Sequence, residues 1–131
     1  MSFVTRDVAL EVIRVVRPTL RELVGKDRDL GDQAKRAASS IVLNIEEGNR
    51  RRGGDRQYHF SVAAGSAAEL RAALLIGVAW DYIAEPTEAL ALLDRLGGLL
   101  YGLVMPRRSA SCLSTRPSTD STTESSRQSD D

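Results

Sequence analysis

Apolar residues in this chain recur at spacings of three and four in four separate stretches, and they alternate over no useful length. That period marks one face of an α-helix and argues against half-buried strands. The clearest stretch is the last. Leu90, Leu93, Leu96, Leu100 and Leu103 keep one side apolar from about Thr87 to Met105. The first runs from about Thr5 to Val24 on Val8, Ile13 with Val12, Val16, Leu20 and Leu23 with Val24. The second carries Leu30, Ala34, Ala37 with Ala38, Ile41 and Ile45, and Asp27 or Asp29 can cap its start. The third begins after Gly53-Gly54 with Asp55 as candidate cap. It passes through Phe60, Ala63, Ala67, Leu70, Leu74 and Gly77 to about Ile83. Pro18 predicts a kink or break in the first helix, because it removes an amide and collides with the carbonyl four residues back. Gly25 is a stop, and Pro86 suits a first turn. Gly97-Gly98 either weakens the last helix or lets another backbone approach.

Short connections make neighbouring helices antiparallel, so residues 1–106 are expected to form an all-α, up-down-up-down four-helix bundle. Composition agrees: 42% of residues are apolar, mostly Ala and Leu, while only 5% are aromatic. A β-sandwich would call for more Val, Thr and aromatic residues. The pattern ends near Pro106. Residues 107–131 hold eight Ser and four Thr, with Ala110, Cys112 and Leu113 the only apolar side chains. So little apolar surface does not offset the entropy of ordering, which predicts a disordered tail. It serves as a solvated tail or as a short docking or phosphorylation segment.

The single cysteine, Cys112, excludes an intrachain disulfide and any Cys-rich metal framework. The opening "MSFVTRDVALEVIRVVRP" carries Arg6, Asp7, Glu11 and Arg14, which is unlike a signal peptide or a membrane span. The expectation is a soluble cytoplasmic protein without a membrane partner.

Catalytic patterns are missing. A di-metal carboxylate bundle needs Glu-x-x-His pairs, and the residue three before the only histidine, His59, is Arg56. Ser66 lies two helical turns from His59, about 10 Å along the axis, too far for a dyad on one helix. "GSAAEL" lies inside a helix and is not a nucleophile elbow, and neither a P-loop nor GxGxxG occurs. The expectation is a noncatalytic protein with no cofactor and no metal.

Two features remain. Ser40, Asn44 and Glu47 follow at i, i+4 and i+7 beside the apolar stripe of the second helix. They form either a solvated face or a buried seam that fixes register, since a buried Asn needs partners for both its donor and its acceptor. Glu47 then requires a cation or amides, from Arg36 or a neighbouring subunit, and Gly48 ends or thins the helix. Next come Arg50, Arg51 and Arg52, with Arg56 beyond the glycines and Asp55 the one acid among them. Total charge is balanced, eighteen Lys/Arg against eighteen Asp/Glu, so nucleic-acid binding depends on this local cluster. Arginine forks suit phosphate oxygens, and the alternative is a solvated loop. One such loop binds weakly, while several copies bind through avidity.

The segment "DQAKRAASSIVLNIEEG" resembles the second-helix signature of the bacterial 23S rRNA intervening-sequence proteins. Gln33, Arg36, Ala37, Ala38, Ser40, Ile41, Asn44, Ile45, Glu47 and Gly48 match in register. "VAAGSAAELRAAL" resembles the family's third-helix motif through Ala63, Gly65, Ser66, Glu69 and Leu70. Val42 stands where the family has Pro, Glu46 where it has Ala, and the order around Arg56–His59 differs. The resemblance spans residues 6–105 and implies a four-helix bundle forming a homopentamer. A related branch, the accessory proteins of diversity-generating retroelements, binds nucleic acid and a reverse transcriptase. That branch is basic, whereas residues 1–106 here hold fourteen Lys/Arg and fourteen Asp/Glu. The resemblance implies that Arg36, Ser40, Asn44, Glu47, Gly48, Ser66 and Glu69 serve as a structural seam or subunit interface. Arg50, Arg51, Arg52 and Arg56 are left as the candidate nucleic-acid contacts.

Overall fold

The computed structural model describes residues 3–105. The tail expected over residues 107–131 lies outside the described residues. Four helices follow in order: α1 Phe3–Lys26, α2 Arg28–Asn49, α3 Gly53–Ala79 and α4 Thr87–Val104. They pack α1 on α2, α2 on α3, α3 on α4 and α4 back on α1, an up-down-up-down bundle with no strand among the described residues. The apolar faces meet in one core. Val12, Val16, Leu23, Ile41, Ile45, Phe60, Leu70, Leu74, Leu96 and Leu100 are its largest fully buried side chains.

A single residue, Asp27, reverses the chain between α1 and α2. Its extended backbone (φ −151°, ψ 98°) turns the chain, and its carboxylate accepts from the Leu30 amide at 3.1 Å. That N-cap satisfies one of the free donors of the new helix. So tight a reversal presses α2 onto α1 at Gly31, where a Cβ would stand 2.5 Å from Val24 Cγ2 and 2.7 Å from the Val24 backbone.

Pro18 does not break α1, which is continuous from Phe3 to Lys26. Both Pro18 and Arg14, whose carbonyl loses its partner, are solvent-exposed, so water takes over that carbonyl. A helix tolerates the loss most readily on its outer side, where it already bends convex to solvent.

The third helix differs from expectation at both ends. It begins at Gly53, not after Gly54, and Asp55 is not its cap; Arg52 occupies that position without a side-chain hydrogen bond. Gly53 turns the chain at φ +60°, which glycine adopts without steric cost. At the other end α3 stops at Ala79, short of Ile83. The Tyr82 amide donates to the Gly77 carbonyl and the Asp81 amide to Val78, both at 2.9 Å, while Asp81 is left-handed at φ 63°. This is the Schellman helix ending with aspartate where glycine is usual. Ile83 then folds back onto Gly77, where it belongs to the core. Gly97-Gly98 does not interrupt α4.

Antiparallel packing gathers the α2–α3 connection, the start of α1 and the end of α4 at one end of the bundle. Gln57 Nε2 donates to the Val104 carbonyl at 3.1 Å, tying the start of α3 to the end of α4. The arginine cluster occupies this end.

Candidate functional site

The polar seam is a hydrogen-bonded chain between α2 and α3. Ser40 and Ser66 hydroxyls lie 2.8 Å apart. Asn44 Nδ2 donates to the Ser40 carbonyl at 3.0 Å and to Ser40 Oγ at 3.2 Å. Asn44 Oδ1 faces His59 Nδ1 at 3.0 Å. With the amide so oriented, Oδ1 accepts, and His59 carries a proton on Nδ1. Ser66 is buried, while Ser40, Asn44 and His59 are half-buried. Each group finds a partner one helix away, which sets the register of the bundle's most extensive helix pair. Below it, Gln33 donates to Glu69 at 3.3 Å. The seam therefore lies within one subunit, with Ser40, Asn44 and Ser66 as its members.

Replacing Asn44 with alanine strands the His59 donor and is expected to cost about 1 kcal/mol. A double-mutant cycle between Asn44→Ala and His59→Ala checks this: coupling of at least about 0.5 kcal/mol supports a working bond, and additivity contradicts it.

Glu47 does not join this chain, and Arg36 does not serve it. Its partner is Arg51, which donates to Glu47 Oε2 from Nε at 2.9 Å and from Nη2 at 2.6 Å. The same guanidinium donates from Nη1 to Asp55 at 2.8 Å. Arg51 thus straps the last turn of α2 to the first turn of α3. Its hydrogen bonds, and its charge after them, hold the Glu47 carboxyl below its ordinary pKa, and the two carboxylates raise that of Arg51. Because the Glu47 pKa is depressed on folding, the strap's contribution is present above the ordinary carboxylate range. It is lost as pH falls through the lowered value. Amide exchange across residues 50–55 is therefore expected to quicken in acid, and Glu47→Gln is expected to quicken it already at neutral pH. Unchanged exchange in that variant would contradict the strap.

Arg56 is also occupied. Its Nη1 donates to the Gly48 carbonyl at 3.2 Å, and its guanidinium lies 4.7 Å from the Phe60 ring centre. A cation at free carbonyls is favourable at a helix C-terminus, so Arg56 closes α2. Gly48 neither ends nor thins that helix, which continues to Asn49. It makes room for Phe60, since a Cβ would stand 2.6 Å from the ring.

Of the four arginines, Arg50 and Arg52 remain. Both are exposed, and among the described residues neither makes a side-chain hydrogen bond or ion pair. They flank the Arg51 strap beside the start of α3, whose first-turn amides have no side-chain cap. This end of the bundle can attract anions through two cations and a helix N-terminus. Composition missed three contributors. Arg6 pairs with Glu46 at 3.2 Å, holding the start of α1 to the end of α2. Gln57 anchors α4. The side-chain amide of Asn49 is buried without a hydrogen-bond partner among the described residues. Glu47, Arg51 and Asp55 stand four residues apart, a spacing that announces the strap in the sequence. Among the described residues no cluster of three His, Cys, Asp or Glu side chains could hold a metal ion.

The elements and their packing define a small up-down four-helix bundle with an arginine-bearing end. The chain belongs to the 23S rRNA-intervening sequence protein family, whose model matches residues 4–102. Comparison with curated proteins finds no match. Among solved structures, the fold is similar to the crystal structure of a protein with unknown function from the S23 ribosomal protein family of Bacteroides thetaiotaomicron VPI-5482. The two share 21% identity and a TM-score of 0.69, over 78% of this chain and 99% of that one.

Proposed function

We propose that this protein is a noncatalytic, cytoplasmic, oligomeric bundle that grips RNA or DNA phosphates through the end bearing Arg50 and Arg52. One observation carries the reading: these two exposed guanidinium groups have no partner among the described residues, while Arg51 and Arg56 hold the loop that presents them. Two cations grip weakly. Duplex binding by one copy has an expected salt slope of about 2, at roughly 0.9 per phosphate neutralised. Several copies presenting the same rim multiply that slope, and the homopentamer implied by the family resemblance suits the role. A reverse transcriptase or another nucleic-acid-processing protein is the protein partner the same resemblance suggests. Exposed apolar side chains on α3 and α4, Trp80 and Tyr101 among them, favour a second reading as a protein-interaction scaffold without nucleic acid.

Titrating the purified protein with labelled structured RNA and duplex DNA across salt separates the two. The first reading predicts affinity that falls linearly with the logarithm of salt concentration, with a slope steeper than one copy supplies. Absence of binding at low salt leaves the scaffold.

A further inference from the structure

The four outer faces of the bundle are unlike one another. On α1, Asp7, Glu11, Arg14, Arg17, Arg21 and Glu22 face solvent, and on α2, Arg28, Asp29, Lys35 and Arg36 do. The outer side of α3 carries Tyr58, Leu75, Ile76 and Trp80 instead, and α4 adds Tyr101, with Trp80 and Tyr101 each 65% exposed. Between α3 and α4 runs an open groove of about 310 Å³, floored by Ala64, Ala67, Ala68 and Gly97 and flanked by Tyr101.

The glycines make an independent point. At Gly31, Gly48 and Gly77 a Cβ would collide with or press on a neighbouring side chain, so packing within the bundle explains them. At Gly65, Gly97, Gly98 and Gly102 a Cβ would meet nothing within 4 Å. Each of these weakens its helix relative to alanine, and packing within one copy offers no return. All four lie on α3 and α4. A surface approaching from outside the subunit would account for them.

From these observations we propose that the outer face of α3 and α4 is where one copy of this chain packs against the next. The inference rests on the multi-copy reading above and names the surface that assembles it. Three occupants compete. The segment after Met105 offers only Ala110, Cys112 and Leu113 as apolar side chains in residues 107–131, too few to cover the face. Lipid is the second, since α3 is long and apolar enough to cross a membrane by length and composition. Yet Glu69 and Arg71 sit midway along α3, and Asp94 and Arg95 midway along α4, where hydrocarbon would make them costly. A second copy fits on both shape and charge. The face itself supplies large side chains and glycine gaps to receive them, and its midsection carries one acid and one base on each helix. Arg71 and Asp94 already pair at 3.0 Å across the groove.

Sedimentation velocity of the full chain, without nucleic acid and over a range of concentrations, tests this. The expected result is a multi-copy species whose share grows with concentration. Ala68→Arg, which places a charge in the groove, is expected to return the single-copy species with helical circular dichroism retained. Ser39→Arg, on the charged side of α2, is expected to assemble as the unaltered chain does. Gly98→Ala keeps the inference testable if Ala68→Arg misfolds. A stronger helix former here is expected to loosen assembly by roughly ten-fold while raising the melting temperature of the single copy. Sedimentation as one copy at every concentration overturns the proposal. So does undiminished assembly of Ala68→Arg or Gly98→Ala, or loss of assembly in Ser39→Arg. Failure of the phosphate reading shows separately: Arg50→Ala/Arg52→Ala leaves sedimentation unchanged and affects polynucleotide binding alone.

Discussion

Replacing Gly31 with alanine is expected to destabilise the bundle by about 3 kcal/mol, the upper part of the range for forcing an added methyl into a packed site. For a domain of this size that lowers the melting temperature by on the order of 15 °C. The cause is local and backbone-borne. The new Cβ would stand 2.7 Å from the Val24 amide nitrogen and Cα, and a backbone cannot rotate aside as a side-chain end can. Relief requires α1 and α2 to part next to the one-residue reversal at Asp27, where no slack exists. Gly25→Ala is the control, because a Cβ there meets open space. Thermal melts of the two variants check the claim. Equal, small shifts would mean that the helices part freely.

Phe60→Ala is expected to cost about 3–5 kcal/mol, the usual loss for a fully buried aromatic ring. Phe60 is 0% exposed, packs on Gly48 of α2 and carries Arg56 over its ring. It is the piece of core nearest the arginine loop, so its loss reaches beyond stability. Without the ring Arg56 loses its platform, and the hydrogen bond from Arg56 to the Gly48 carbonyl is expected to loosen with it. Denaturant unfolding gives the first effect, and amide exchange at residues 50–56 gives the second. A destabilised variant whose loop exchanges no faster would separate the core from the site and contradict this link.

Much of this architecture was legible in the residues. Spacings of three and four mark four helices, because a helix buries one stripe and leaves the rest to water. Asp27 is readable as a cap because carboxylates meet free helix amides. Pro18 misleads because the rule against an interior proline assumes a carbonyl that water cannot reach, and the carbonyl freed here lies on the solvent side. The end of α3 misleads because Ile83 continues the apolar period after the chain has turned, and its burial comes from folding back onto Gly77. The site was half legible. Its arginines are plain, yet which of them are occupied depends on the helix-to-helix register that sets Phe60 under Arg56. The bond between His59 and Asn44 rests on that same register, which a single helix pattern does not contain.

The central claim is that Arg50 and Arg52 make the outward contacts while Arg51 and Arg56 shape the loop. One comparison tests it most directly: the salt slope of duplex binding for Arg50→Ala/Arg52→Ala set against Arg51→Ala, with melting temperatures measured alongside. The account predicts that the double variant loses nearly all of the slope with an unchanged melting temperature. It predicts that Arg51→Ala keeps most of the slope and speeds exchange across residues 50–55. A double variant that keeps the full slope, or an Arg51→Ala chain that alone abolishes it with its loop still ordered, would contradict the account.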